Sequence, residues 1–354
     1  MIYPRLTIDL KKIEHNSRKI VEQCRKNGID VIGVTKGCLG NLEVARAMLN
    51  GGVSGIADSR ISNIKKLYEN GFNNLIALRQ PMCDEAKETV KYSETCLISD
   101  VKAAAYLSDE AIKLGKTYKV ILMVEMGDLR EGILPEDLLG AADKILGLKH
   151  VKLLGIGANI CSLPAQDSYQ SNSQGEVVDC TRVRPGLAGD DFLLLVELAK
   201  SIKRKFGIEI EVISGGSSST WNLMMAGVLP KEINQLRIGE AILLGQEPTS
   251  FKPIKGTHQD VFVLFAEILE VREKKYPQGW LKQAVVALGK QDVGSETLKP
   301  CFNGKILRVT ADHMIVDVSD ANETFSYGDI LSVIPEYYAL QMAMTSPFVL
   351  KKYI

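Results

Sequence analysis

The feature that most constrains the fold is an alternation. Across the N-terminal two thirds of the 354 residues, short apolar runs take turns with longer amphipathic ones. The apolar runs lie at 31–35 (VIGVT), 53–57 (VSGIA), 74–78 (NLIAL), 95–99 (TCLIS), 119–126 (KVILMVEM), 151–159 (VKLLGIGAN), 208–214 (IEIEVIS) and 233–239 (INQLRIG). Between them, stretches such as NLEVARAMLNGG, RISNIKKLYENG and DVKAAAYLSDEAIKLG repeat apolar residues at helical spacing and close on glycine, a helix C-terminal signal. Strand and helix in strict alternation imply parallel strands joined by right-handed crossovers. Eight strands are the number that closes a TIM-type (β/α)8 barrel; an open sheet of seven or nine strands is the competing architecture.

After about Gln246 the texture changes. Residues 261–334 are rich in β-branched and aromatic residues with turn signals between them, the pattern of a smaller all-β domain. The expected division is a barrel over 1–245 and a β-strand domain over 246–354. The polar segment 168–189 is long for a connection inside a barrel, so it reads as a functional loop or a mobile one.

Composition narrows the function classes. With 43 basic and 43 acidic residues the formal net charge is zero, which argues against a nucleic-acid binder and leaves a small anionic ligand open. The seven cysteines are scattered without a Cys-x-x-Cys pair and there are four histidines, so no metal site is expected. The odd cysteine count, and a start (MIYPRLTIDLKKIEHN) without a secretory-type apolar core, point to the reducing cytoplasm. No apolar run approaches the roughly 20 residues of a membrane span.

Barrel active sites lie at the C-terminal ends of the strands. Lys36 follows the first run. The ordinary reading is a solvated lysine; facing the barrel mouth, it loses water, becomes less basic and suits a Schiff base. The seventh run ends in SGGSSST (214–220), directly before the helical WNLMMAG. Such a run is often a plain turn, but here its glycines let an anion approach while hydroxyls and amides donate to it. The eighth run ends in Arg237, Ile238, Gly239 and Glu240. Arg130, after the fifth run, is either a surface arginine or a fork that holds a carboxylate by two hydrogen bonds.

These residues, together with YPRLTIDLKKIEHN, GVTKGCLGN, IADSRISNIKKL, ALRQP, KFGIEIEVISGGSSS, QLRIGEAILLGQEP, ALGKQDV and AMTSPFV, run in order through nearly the whole chain. They resemble the alanine racemase family of fold-type III pyridoxal-phosphate enzymes, and within it the alanine/ornithine racemase branch. The resemblance implies a pyridoxal 5'-phosphate cofactor carried on Lys36. It places Ser217, Ser218, Gly239 and Tyr338 at the phosphate, Arg237 against the pyridine nitrogen, and Asn159 where alanine racemases set a histidine against the ring. An arginine keeps its proton, so the ring nitrogen stays unprotonated and the electron sink is weakened. The resemblance also implies Arg130 near the substrate carboxylate, Asp312 bordering the site, and a homodimer whose β-domains reach the neighbouring barrel mouth. Tyr276 is then the candidate second acid/base opposite Lys36, its other reading being an ordinary turn tyrosine beside Pro277.

The sequence departs from the family at three places. No tyrosine follows the lysine in KGCLGN, Met123 stands at the family's carbamylated lysine, and the stretch around Tyr276 is short. The implied function is an isomerase, a racemase of a small or basic amino acid of the alanine, ornithine or lysine kind. The alternatives are another pyridoxal-phosphate reaction on the same fold, such as a D-amino-acid aldolase or decarboxylase, and a cofactor carrier without turnover. A metal-dependent aldolase needs a metal pair near the C-terminus, which His313 alone does not make.

Overall fold

A computed structural model describes residues 3–160, 169–171, 177–179, 188–277, 279–294 and 297–354. Its strands are β1 (Arg5–Ile8), β2 (Asp30–Val34), β3 (Gly55–Asp58), β4 (Leu75–Ala77), β5 (Thr95–Ile98), β6 (Tyr118–Met123), β7 (Val151–Gly157), β8 (Tyr169–Ser171) and β9 (Val177–Asp179). They continue with β10 (Val212–Ser217), β11 (Gln235–Ile238), β12 (Phe262–Tyr276), β13 (Gly279–Val286), β14 (Leu298–Pro300), β15 (Lys305–Val309), β16 (Met314–Asp317), β17 (Ile330–Pro335) and β18 (Leu350–Tyr353).

Strands β2 to β7, β10 and β11 close into a parallel barrel. The helices between them form where the helical spacing predicts. Leu42–Asn50 begins on Asn41, whose side chain accepts from the Val44 amide, and stops at Gly51. Val101–Lys113 begins on Asp100, which accepts from the Lys102 amide. Each such cap satisfies an amide that the first helical turn leaves without a partner.

Strand alternation sorts the residues. Val31 packs in the large layer between strands and helices, and a Cβ on Gly33 would meet Met48, Val53 and Ile56 there. Ile32 and Val34 point the other way and pack inside the barrel with Ala57 and Ile76. Leu97, Ile121 and Met123 form a second interior cluster. Met123 is therefore an apolar plug where the family resemblance placed a charged carbamate. In β11, Leu236 and Ile238 pack in the outer layer, so alternation turns Arg237 inward; Lys36 follows β2 directly, in the turn at its C-terminal end.

The seventh predicted strand begins later than its sequence pattern suggests. Ile208 and Ile210 pack on the core outside the ladder, and β10 starts at Val212. Its end includes the glycines: Ser214 pairs with Gln235 and Ser217 with Arg237, three residues against two, a bulge that turns the strand end. Gly216 makes this turn with φ +123°, and a Cβ there would stand 2.4 Å from Thr220 Oγ1.

The second sheet has the order β14-β17-β12-β13-β16-β15. It also takes in β1, which pairs antiparallel with β12 and parallel with β18. The chain thus enters the β-sheet before it builds the barrel, a pairing invisible in a division at 245. Leu6 and Ile8 of β1 are wholly buried, each such side chain contributing roughly 1.5–3 kcal/mol. Within the segment 168–189, β8 and β9 form an antiparallel pair; most of that segment lies outside the described residues. Among the described residues no helix is long and apolar enough to cross a membrane.

Candidate active site

A cavity of about 470 Å³ opens at the C-terminal mouth of the barrel. It falls in the range of small-molecule sites, roughly 300–1,000 Å³. Lys36, Arg130, Asn159, Ser217, Ser218, Arg237, Gly239 and Tyr338 all line it. Eight residues singled out from different strand ends are therefore brought together. Tyr276 and Asp312 are not among the lining residues. Tyr276 ends β12 and donates its hydroxyl to Gln283 Oε1 at 2.5 Å. Asp312 lies exposed in the turn between β15 and β16.

Lys36 starts the short helical turn Lys36–Cys38 directly after β2. It is open to the cavity but enclosed by its walls. That enclosure, followed by the positive charges of Arg130 and Arg237, lowers its basicity; Asp58 and Glu131 act in the opposite direction. The turn is tight against the second domain, since a Cβ on Gly37 would stand 2.9 Å from the Tyr337 ring.

Arg237, at the end of β11, is 4% exposed. Its guanidinium donates to Ser214 Oγ, to the Ala158 carbonyl at 3.1 Å and to Asn159 Oδ1 at 2.7 Å. Burial, then the nearby Arg130 charge, lowers its pKa to about 10, so it remains a cation at neutral pH. Three fixed acceptors hold this fork at one orientation under the cavity.

At the opposite wall, Ser217 Oγ and Ser219 Oγ are 3.1 Å apart, and Ser218 Oγ accepts from the Ala241 amide at 3.2 Å. Ser218 thus pins the helix Glu240–Leu244 to the end of β10 as an acceptor, and its own proton stays available to donate into the cavity beside the one left free by the Ser217–Ser219 pair. Gly239 packs so closely on β2 that a Cβ would lie 2.8 Å from the Val34 carbonyl oxygen. Glycines, hydroxyls and amides converging on one wall can hold a phosphate group.

Arg130 is half-exposed on the rim. Its Nε and Nη2 donate to Glu131 at 2.5 and 3.1 Å, and Asp128 lies 3.5 Å away. Its remaining donors are the ones available to a ligand carboxylate.

Two of the lining residues given no role from sequence, Glu240 and Tyr337, are strongly shifted in their titration. Glu240 follows Gly239, and burial, reinforced by Glu247, raises its carboxyl to about 7. Tyr337 is half-buried where its neighbour Tyr338 is 55% exposed. Burial, then Glu240, pushes the Tyr337 phenol up. Only the helix Tyr337–Thr345 tells the two adjacent tyrosines apart, by turning one inward.

Residues 8–247 match the family model described as the N-terminal domain of alanine racemase. The chain is 33% identical to a lysine racemase of Thermotoga maritima, with 100% of this chain and 99% of that protein covered. It is 32% identical to an ornithine racemase of Acetoanaerobium sticklandii, with 99% of both covered. An alanine racemase structure from Clostridium difficile 630 superposes with a TM-score of 0.71 at 17% identity, covering 99% of this chain and 96% of that one. The D-threonine aldolase of Filomicrobium marinum gives 0.75 at 12% identity over 96% and 88%. These structures share the barrel-plus-sheet fold. With a family model matching well over half its length and two full-length relatives above 30% identity, this chain belongs to the alanine racemase family.

Proposed function

We propose that the protein is a pyridoxal-phosphate-dependent racemase of a basic amino acid of the lysine or ornithine kind. The observation that carries this reading is the convergence of Lys36, Arg237 and Ser217 on one cavity, each from a different strand end. The names of the two full-length relatives support the substrate class.

The residues fit the cofactor. Ser217, Ser218 and the backbone at Gly239 would hold its phosphate, with Tyr338 near them; Arg237 and Asn159 would face the ring, and Lys36 would carry it. The close approach of Gly239 to Val34, where a Cβ would clash, fixes the backbone of that wall against β2. Pyridoxal phosphate, when bound, supplies the electron sink that acidifies the α-hydrogen of an attached amino acid. The protein's own contribution is proton handling and orientation. Lys36, made less basic by its surroundings, is a neutral amine for a larger fraction of the time. Its Nζ can take the α-proton on one face and return one there in the reverse direction. Arg130 orients the substrate carboxylate through its uncommitted donors.

Racemisation also needs an acid/base on the other face. Tyr276 of a second subunit is the candidate, with Asp312 of that subunit beside the substrate, which makes the functional unit a homodimer.

The experiment is exchange of the α-hydrogen in deuterated water over a panel of L- and D-amino acids, with borohydride trapping of the cofactor and peptide mapping. Exchange and racemisation of lysine or ornithine, with trapping on Lys36, is the expected result. Trapping on another lysine, or exchange without racemisation, overturns it.

A further inference from the structure

Asp58 ends β3 and is completely buried. Among the described residues it has no ion pair. Its Oδ2 accepts from Thr35 Oγ1 at 2.8 Å, and its Oδ1 accepts from the Arg60 amide at 3.0 Å and from Asn63 Nδ2 at 3.1 Å. A carboxylate taken out of water without a cation is expensive to keep. An asparagine would fill the same space. Its carbonyl oxygen could accept from Arg60 and Asn63, and its amide could donate to Thr35. The hydrogen bonds alone therefore do not require a negative charge at this place.

What surrounds the charge suggests its use. Thr35 is also wholly buried and immediately precedes Lys36. Its amide donates to the Ala57 carbonyl at 3.0 Å, and its own carbonyl accepts from the Cys38 and Gly40 amides at 2.9 and 3.2 Å. The whole Lys36 turn is thus stitched to the end of β3, with Asp58 at the knot. Gly40 presses on the helix Ile61–Glu69 that follows β3, since a Cβ there would stand 2.7 Å from Asn63 Cβ. The Lys36 amine feels the charges of Arg130 and Glu131 from beyond β6, Arg237 from β11 and Asp58 from β3, and Glu240 after β11 feels that of Lys36. The Asp58 charge is also felt by Cys38 and Tyr337.

We infer that Asp58 is a positioning residue for Lys36: it tethers the turn through Thr35, and its buried negative charge offsets the two arginines that crowd the amine. The inference rests on Lys36 being the reactive amine of the proposed function, but it concerns a link within the chain that can be read separately.

The test uses the full-length apoprotein. Trace labelling with acetic anhydride, mapped by mass spectrometry, gives the pH midpoint at which Lys36 becomes nucleophilic. Asp58→Asn removes the charge and keeps the shape, and the midpoint should fall, by about one pH unit for a charge acting from roughly 12 Å at an effective dielectric near 20. Thr35→Val keeps the charge and cuts the tether. The midpoint should then stay put, while the dissociation constant for pyridoxal phosphate rises roughly ten-fold, the scale of one lost hydrogen bond to a charged group. A merely structural role would lower thermal stability in both variants and leave the Asp58→Asn midpoint where it was; that result overturns the inference. Unchanged cofactor affinity in Thr35→Val overturns it too, and decides the matter if Asp58→Asn does not fold. If borohydride traps the cofactor on another lysine, the proposed function fails, while the labelling midpoint still reports whether Asp58 acts on Lys36.

Discussion

Replacing Arg237 with lysine keeps the charge under the cavity and removes the fork. The arginine spans three acceptors: Ser214 Oγ at the floor, the Ala158 carbonyl and Asn159 Oδ1. A lysine presents its donors from one point and reaches one of these groups. Asn159 borders the cavity, so water can take its place there. Ser214 and Ala158 are both fully buried, and the one left without a donor costs about 1–3 kcal/mol. Adding the packing lost with the planar group gives roughly 2–4 kcal/mol. At about 2 °C per kcal/mol for a chain of this size, the melting midpoint should fall by roughly 4–8 °C. The assay is thermal unfolding of the apoprotein followed by circular dichroism, at fixed protein concentration and pH because oligomers melt with concentration. Arg130→Lys is the control. Glu131 meets it on the open rim, where a pair is worth about 0–1 kcal/mol; Asp128 is buried but stands 3.5 Å off, and lysine keeps a cation beside it, so the midpoint should move little. Should Arg237→Lys melt like wild type, or Arg130→Lys melt lower than it, the account of Arg237 as a fixed buried fork is wrong.

Two further outcomes follow from the site. The Glu240 carboxyl titrates at about 7 in the folded chain against an ordinary 4.5. Between these values the folded state holds a proton that the unfolded state has released, so stability falls as pH rises through the window, by about 3 kcal/mol in all, with no penalty below it. In Glu240→Gln that loss disappears; urea unfolding at pH 5 and pH 8 should show the variant gaining on wild type by that amount, and parallel pH dependences in the two proteins would refute the burial argument. The shared-site proposal predicts that Lys36→Ala and Tyr276→Phe, each without racemase activity alone, recover some when mixed and refolded together, since a hybrid dimer contains one site with both residues intact. Failure of the mixture to regain activity, with hybrids demonstrated by mass spectrometry, argues against Tyr276 acting across the interface.

The alternation of apolar runs was enough to announce the barrel, because the periods of strand and helix are local properties that survive in any context. The same locality made Lys36, Asn159, Ser217, Arg237 and Gly239 legible: each follows or ends a run, and the ends of barrel strands meet at one mouth. The bulge in β10 was not legible, because SGGSSST reads equally as a loop, and only pairing with β11 shows that its glycines lie inside the strand. The first four-residue strand carries no mark of its partners; its place between β12 and β18 depends on chain segments more than 250 residues away. Tyr337 and Tyr338 are adjacent and chemically identical, and the helix that contains them decides which packs against the core. Asp58 looks like any acidic residue before a helix until β2 and β3 lie side by side and bring Thr35 to its carboxylate. Sequence periodicity determines which face of an element is apolar. Which polar groups are sealed together, and therefore which charges are felt at Lys36, is decided when distant segments pack and exclude water.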